Sequence, residues 1–149
     1  MKYLKHLAAF SLMTSLLIGC GGGSSSSGIT QYAGTYAGTL NVGMSSPTVF
    51  GDSPEFFHWR VNSDGTITDL IPDPNCSSTE AYIPKGESIE AIIVQQCTDP
   101  DLGLCYFAYE GSITFLKSNT GIFVQLSGDF ACDKASGRVS TFGTLTRMQ

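Results

Sequence analysis

The sequence predicts an all-β fold, an up-and-down antiparallel barrel of about eight strands, on three observations. Beyond residue 28 no stretch keeps a helical period, whereas apolar and polar residues alternate with period two repeatedly. Glycine, serine and threonine are abundant and charged residues make up only 14%, a mixture suited to short strands and tight turns. Turn-forming groups recur at short intervals, so consecutive strands would be joined as hairpins. A two-sheet β-sandwich is the alternative. The barrel is favoured because pairing the first strand with the last would remove both exposed edges.

Taken in order, strands are expected over 31–42, 55–62, 66–71, 79–83, 88–97, 104–116, 122–132 and 139–148. In the first, Tyr32, Gly34, Tyr36, Gly38 and Leu40 share one face, with Ala33, Thr35, Ala37 and Thr39 on the other. Glycines set between bulky residues mark a bent strand that other side chains cross closely. The second strand follows a long connection over 41–54 and carries Phe56-Phe57-His58-Trp59, aromatic on both faces. Asn62-Ser63-Asp64-Gly65 and Ser118-Asn119-Thr120-Gly121 read as type I turns with glycine in the left-handed position. Pro84-Lys85-Gly86-Glu87 and Asp99-Pro100-Asp101 mark two further loops. The sixth strand holds Phe107, Tyr109, Ile113 and Phe115 at odd positions; the seventh holds Ile122, Val124, Leu126 and Phe130 at even ones. Together with Tyr32, Tyr36 and Leu40, such large side chains are expected to fill the barrel and leave binding to its outer surface.

Ahead of this domain the chain changes character. Met1-Lys2-Tyr3-Leu4-Lys5 is a short positive segment, and residues 7–18 follow without a charge. Twelve residues are too few to span a bilayer, which takes about 20, so this is a signal h-region and not a membrane helix. Leu17-Ile18-Gly19-Cys20 resembles the lipobox of bacterial lipoproteins. The resemblance implies cleavage after Gly19, a diacylglycerol thioether on Cys20 and a palmitate-type acyl chain on its new amino group. Two or three acyl chains give a stable anchor where one does not. Gly21 after the cysteine, in place of an aspartate, implies sorting to the outer membrane, with its periplasmic or surface leaflet left open. Residues 21–28 are four Ser and four Gly, a flexible tether of ~15 Å typical reach. The chain thus divides into a signal peptide (1–19), a lipidated cysteine with its tether (20–28) and one β domain (29–149). Gly34-Thr35-Tyr36-Ala37-Gly38-Thr39-Leu40 and Gly143-Thr144-Leu145-Thr146 resemble the end strands of lipocalin-like barrels, at the level of architecture alone.

Removing Lys2 and Lys5 with the signal leaves six Lys and Arg against thirteen Asp and Glu, a formal charge of −7. That surface repels polyanions, and the remaining cations form no stripe, so nucleic acid is not an expected partner. Cys76, Cys97, Cys105 and Cys132 remain after Cys20, an even number in an exported chain, and read as two disulfides. Cross-strand partners in a hairpin share a nearly constant sum of residue numbers. Cys105 with Cys132 falls within two of the sum set by Ser118 and Gly121, and Cys76 with Cys97 within two of that set by Pro84 and Glu87. Those two bridges are expected, with Cys97–Cys105 as the runner-up. No Cys-x-x-Cys pair occurs and His58 is the only histidine after processing, which argues against zinc.

No catalytic constellation is visible. His58 has no sequence partner as a general base, no serine sits in a Gly-x-Ser-x-Gly elbow, and Glu55, Glu90, Glu110 and Asp129 are scattered carboxylates. Asp73, Asn75, Asp99, Asp101 and Asp133 fall in loops at the cysteine-bearing end, where oxygen ligands could gather around calcium. Turn chemistry explains the same residues more simply, so neither a metal nor a cofactor is expected. Phe56, Phe57, His58 and Trp59 are the candidate partner-binding residues, since exposed aromatics mark binding surfaces. The expectation is a non-enzymatic, lipid-anchored envelope module that binds another envelope protein or a glycan. A purely structural envelope lipoprotein, or a carrier of a small hydrophobic ligand in the barrel, are the alternatives.

Overall fold

A computed structural model describes residues 28–47 and 50–149. The signal peptide, Cys20 and the tether as far as residue 27 lie outside the described residues. Eight strands run as β1 (Gly34–Ser45), β2 (Phe50–Val61), β3 (Ile67–Asp69), β4 (Cys76–Lys85), β5 (Ser88–Asp99), β6 (Gly103–Phe115), β7 (Gly121–Cys132) and β8 (Ser136–Arg147). They form one antiparallel sheet in the order β3-β2-β1-β8-β7-β6-β5-β4. The first strand does pair with the last, Tyr36 facing Arg147 and Ser45 facing Arg138. A single continuous sheet replaces the two-sheet alternative.

The barrel is nearly closed, and the gap in it corrects one expectation. β3 and β4 are not hydrogen-bonded to each other, so two edges survive. β3 covers only Trp59–Val61 of β2, and the Leu70 amide reaches the His58 carbonyl, leaving β2 ahead of His58 without a strand partner on that side. The cause is in the chain. After Leu70-Ile71 come Pro72 and Pro74, which have no N–H to donate to a ladder, so the expected strand over 66–71 stops at Asp69.

Other boundaries move too. The fourth strand, expected over 79–83, runs from Cys76 to Lys85, so Cys76 lies in the strand and not in the loop before it. The eighth runs over Ser136–Arg147. Thr30–Tyr32 is a 3-10 turn and β1 begins only at Gly34. The expected long connection over 41–54 is mostly strand, with Asn41 opposite Pro54 and Ser45 opposite Phe50. Pro54 suggests a break in the sequence, yet it is tolerated because this half of β2 has a free edge. Between β6 and β7 the left-handed residues are Ser118 (φ 68°) and Asn119 (φ 55°), while Gly121 starts β7 in a buried position. At 62–65 the expected turn forms, with Gly65 at φ 86° and its N–H donating to the Asn62 carbonyl.

Both termini of the domain lie at one end. There Tyr36, Leu40, Ile89, Ile113, Ile122 and Leu145 are fully buried. Tyr32 closes that end by stacking on Phe115, ring centroids 4.1 Å apart. The Tyr36 hydroxyl donates to the Tyr32 carbonyl at 2.6 Å, and Asn119 Nδ2 donates to the Gln31 carbonyl at 2.7 Å. The leading turn is thereby latched onto the β6–β7 turn as a plug.

The cysteines occupy the opposite end, bridged as Cys76–Cys97 and Cys105–Cys132. All four stand in one row, because Cys97 also faces Cys105. Register alone therefore does not decide the pairing; hydrogen-bond alternation does. The bridged pairs have Cα separations of 4.1 and 3.9 Å, the narrow, non-hydrogen-bonded type. Accordingly, the Cys76 and Cys132 amides turn away from their bridged partners, to the Asp73 and Ala135 carbonyls. By alternation Cys97 and Cys105 form the wider type, whose side chains are less readily joined.

Candidate functional site

The interior is filled at the plugged end only. Towards the cysteine end the same inward faces surround a cavity of about 510 Å³, within the range that takes one small molecule. The expected filled barrel thus holds for half its length. Two features open the other half. Edge strand β4 presents small or polar side chains inward, Cys76, Ser78 and Glu80, where β6 presents the rings of Phe107 and Tyr109. The proline segment after β3 also withdraws one wall from the sheet.

The cavity has two unlike walls. Val42, Met44, Ile93, Phe107, Leu126 and Val139, from β1 and β5–β8, make an apolar side. Glu55, Asp69, Asp73 and Glu80, from β2, β3, the following loop and β4, make an acidic side, with Asp99 at the rim. Phe57, Trp59, Tyr82 and Tyr109 stand among them. The Tyr82 hydroxyl donates to Glu80 Oε2 at 2.7 Å, and Ser78 Oγ donates to Oε1 of the same carboxylate at 2.8 Å. Burial pushes the Tyr109 hydroxyl up to about 12, with a further contribution from the charge of Glu55. Burial likewise raises Tyr82, helped by its bond to Glu80 and by the charges of Glu80 and Asp69.

The aromatic run splits between the two faces of β2. Trp59 is buried and Phe57 half-buried, packed edge to face with centroids 5.5 Å apart, and both line the cavity. His58 faces outward, as does most of Phe56, which is 60% exposed and touches only the cavity rim. Of the four scattered carboxylates, Glu55 alone faces the cavity. Glu90 pairs with Lys85, Asp129 pairs with Arg138, and Glu110 is exposed on the outer face of β6. The acidic loop residues serve their own backbones. Asp73 accepts from the Asn75 amide, Asp99 from the Asp101 and Leu102 amides, and Asp133 from the Leu104 amide. Among the described residues no three His, Cys, Asp or Glu side chains gather as a metal site.

Asp69, Glu80 and Tyr82 carry no motif that singles them out in the sequence, yet the fold brings all three to the cavity wall. A signal for two of them exists: Cys76 must face inward to bridge Cys97, and period two then carries Ser78, Glu80 and Tyr82 inward with it. No protein-family model, curated protein or solved structure matches this chain.

Proposed function

We propose that the domain is a binding module, not an enzyme, whose site is the cavity at its cysteine-bearing end. The observation that carries this reading is the half-empty barrel: about 510 Å³ of lined space above a plugged, fully packed base. The two disulfides support it by pinning β4 to β5 and β6 to β7 at the rim, beyond the main core cluster. In this reading Cys20 carries the lipid, the anchor lies in the outer membrane, and the tether joins the barrel at its plugged end. Gly28 lies against the β4–β5 turn at Gly86, on the far side of the barrel from the cysteine row. The mouth then faces away from the anchoring bilayer and samples solutes on that side. Native mass spectrometry of protein extracted from its membrane tests all of this together. A lipidated Cys20 and a retained small molecule are expected; an apo domain that takes up no small molecule at millimolar concentration would falsify the carrier reading.

One observation favours a protein partner as well. Ile83, Ile92, Val94 and Tyr106 lie on the outer face of β4–β6, each 46–49% exposed, beside the free edge of β4. Exposed apolar side chains next to an unpaired strand suit docking of an envelope protein. Cross-linking that maps a stoichiometric partner to this face would support that role alongside the cavity.

A further inference from the structure

We propose that the cavity selects a cation with an apolar body, an alkyl- or arylammonium ion, the ammonium group lying against the β2–β4 wall. This deepens the reading of the cavity as the binding site and rests on it. The charge pattern is one-sided. Among the described residues Glu55, Asp69, Asp73, Glu80 and Asp99 line the space, and no Lys, Arg or His does. Four of the six described cations are engaged elsewhere, and Arg60 and Lys117 line no part of the cavity. Lys85 and Arg138 are in ion pairs with Glu90 and Asp129, and Arg147 is at the plugged end, bonded to the Ala33 carbonyl. Lys134 donates to the Asp101 carbonyl in the rim loops and lines no part of the cavity.

The carboxylates alone would specify only positive charge. The walls specify the rest. Phe57, Trp59, Tyr82 and Tyr109 line the space together with the acidic groups, and aromatic rings attract quaternary ammonium ions by cation–π interaction. Opposite them Val42, Ile93, Leu126 and Val139 give an apolar surface for the body of the ligand. A fatty acid would meet the reverse: its carboxylate would face like charges, with no Lys, Arg or His among the described lining residues. Burial is the main cause of the raised Tyr82 and Tyr109 hydroxyls, and neighbouring carboxylates add to both.

The test uses three probes with one body and different heads: 4-phenylbutyltrimethylammonium, 4-phenylbutan-1-ol and 5-phenylpentanoate. Each is titrated into the lipidated protein in nanodiscs, with empty nanodiscs as blank, reading emission of Trp59, the only tryptophan. The cation is expected to bind about tenfold or more tighter than the alcohol, and the carboxylate weaker than both. In the triple variant Glu55→Gln, Asp69→Asn, Glu80→Gln the cation should lose about tenfold in affinity while the alcohol changes by less than about twofold. Equal affinity for cation and alcohol, or a preference for the carboxylate, would overturn the cation inference and leave the cavity as a binding site. Failure of all three to bind would overturn both readings. The probe series on the unaltered protein decides the matter even where the triple variant does not fold.

Discussion

At the scale of single residues, two side-chain arrangements decide how the barrel closes and how it tolerates pH. Tyr109 lies opposite Gly128, where β6 and β7 approach so closely that a Cβ on Gly128 would run into the Ala108 carbonyl oxygen. Backbone cannot yield as a flexible side chain can, so Gly128→Ala should cost about 1–3 kcal/mol as overpacking. A urea denaturation midpoint unchanged in Gly128→Ala would show that the strands separate freely there. Tyr109 itself makes a base-sensitive element. Its folded pKa, about 12, lies above the ordinary tyrosine value of 10.0, so its contribution is complete below pH 10 and is lost as pH rises towards 12. A difference of that size is worth ~2–3 kcal/mol, and Tyr82 and Tyr36, also raised by burial, act in the same direction. The melting temperature should therefore fall steeply above pH 10, and less steeply in Tyr109→Phe. Tyr82 was not singled out in the sequence, whereas Tyr36, Tyr109 and Gly128 were legible as inward residues by period two. Which of them surround empty space was not, because a cavity depends on how eight faces meet and not on any one of them.

At the scale of elements, the strand map was legible because turn chemistry is local, and the departures from it arose where tertiary context decides. Pro54 reads as a breaker and is strand, since its side of β2 is a free edge; Pro72 and Pro74 read as loop, but nothing local says that β4 is left unpaired. That unpaired strand is held on one side only, by β5 and by Cys76–Cys97. Cys105–Cys132 joins two strands already paired on both sides. Replacing either pair by alanines should cost about 2–4 kcal/mol in global stability. The local consequences should differ. Hydrogen exchange of β4 amides should accelerate in Cys76→Ala/Cys97→Ala well beyond the global change, while Cys105→Ala/Cys132→Ala should leave β6 and β7 protected. Equal exchange of β4 in the two variants would mean that the edge strand is held by its ladder alone. Loosening β4 also moves Glu80 and Tyr82, so the first variant should bind ammonium probes more weakly than the second.

At the scale of the whole molecule, the proposed binding role makes the polarity of the barrel set the direction from which a ligand would come. β1 starts and β8 finishes at the plugged end, so Gly28 and Gln149 both leave the domain there, beneath the stacked Tyr32 and Phe115 rings. The loops around 70–75, 100–102 and 133–135 ring the opposite end, one strand length away. Strands of 12 residues, tilted as barrel strands are, separate the two ends by roughly 30 Å. A domain fused after Gln149 should therefore leave the association rate of 4-phenylbutyltrimethylammonium unchanged within about twofold. The same domain inserted between Pro100 and Asp101, in the loop that holds Asp99 at the rim, should slow association about tenfold or more. Stopped-flow emission of Trp59 reads both rates, and circular dichroism confirms that each fusion keeps its strands. Slowing by the C-terminal fusion alone would place the entrance at the base. Slowing by neither would place it at the side, through the gap between β3 and β4.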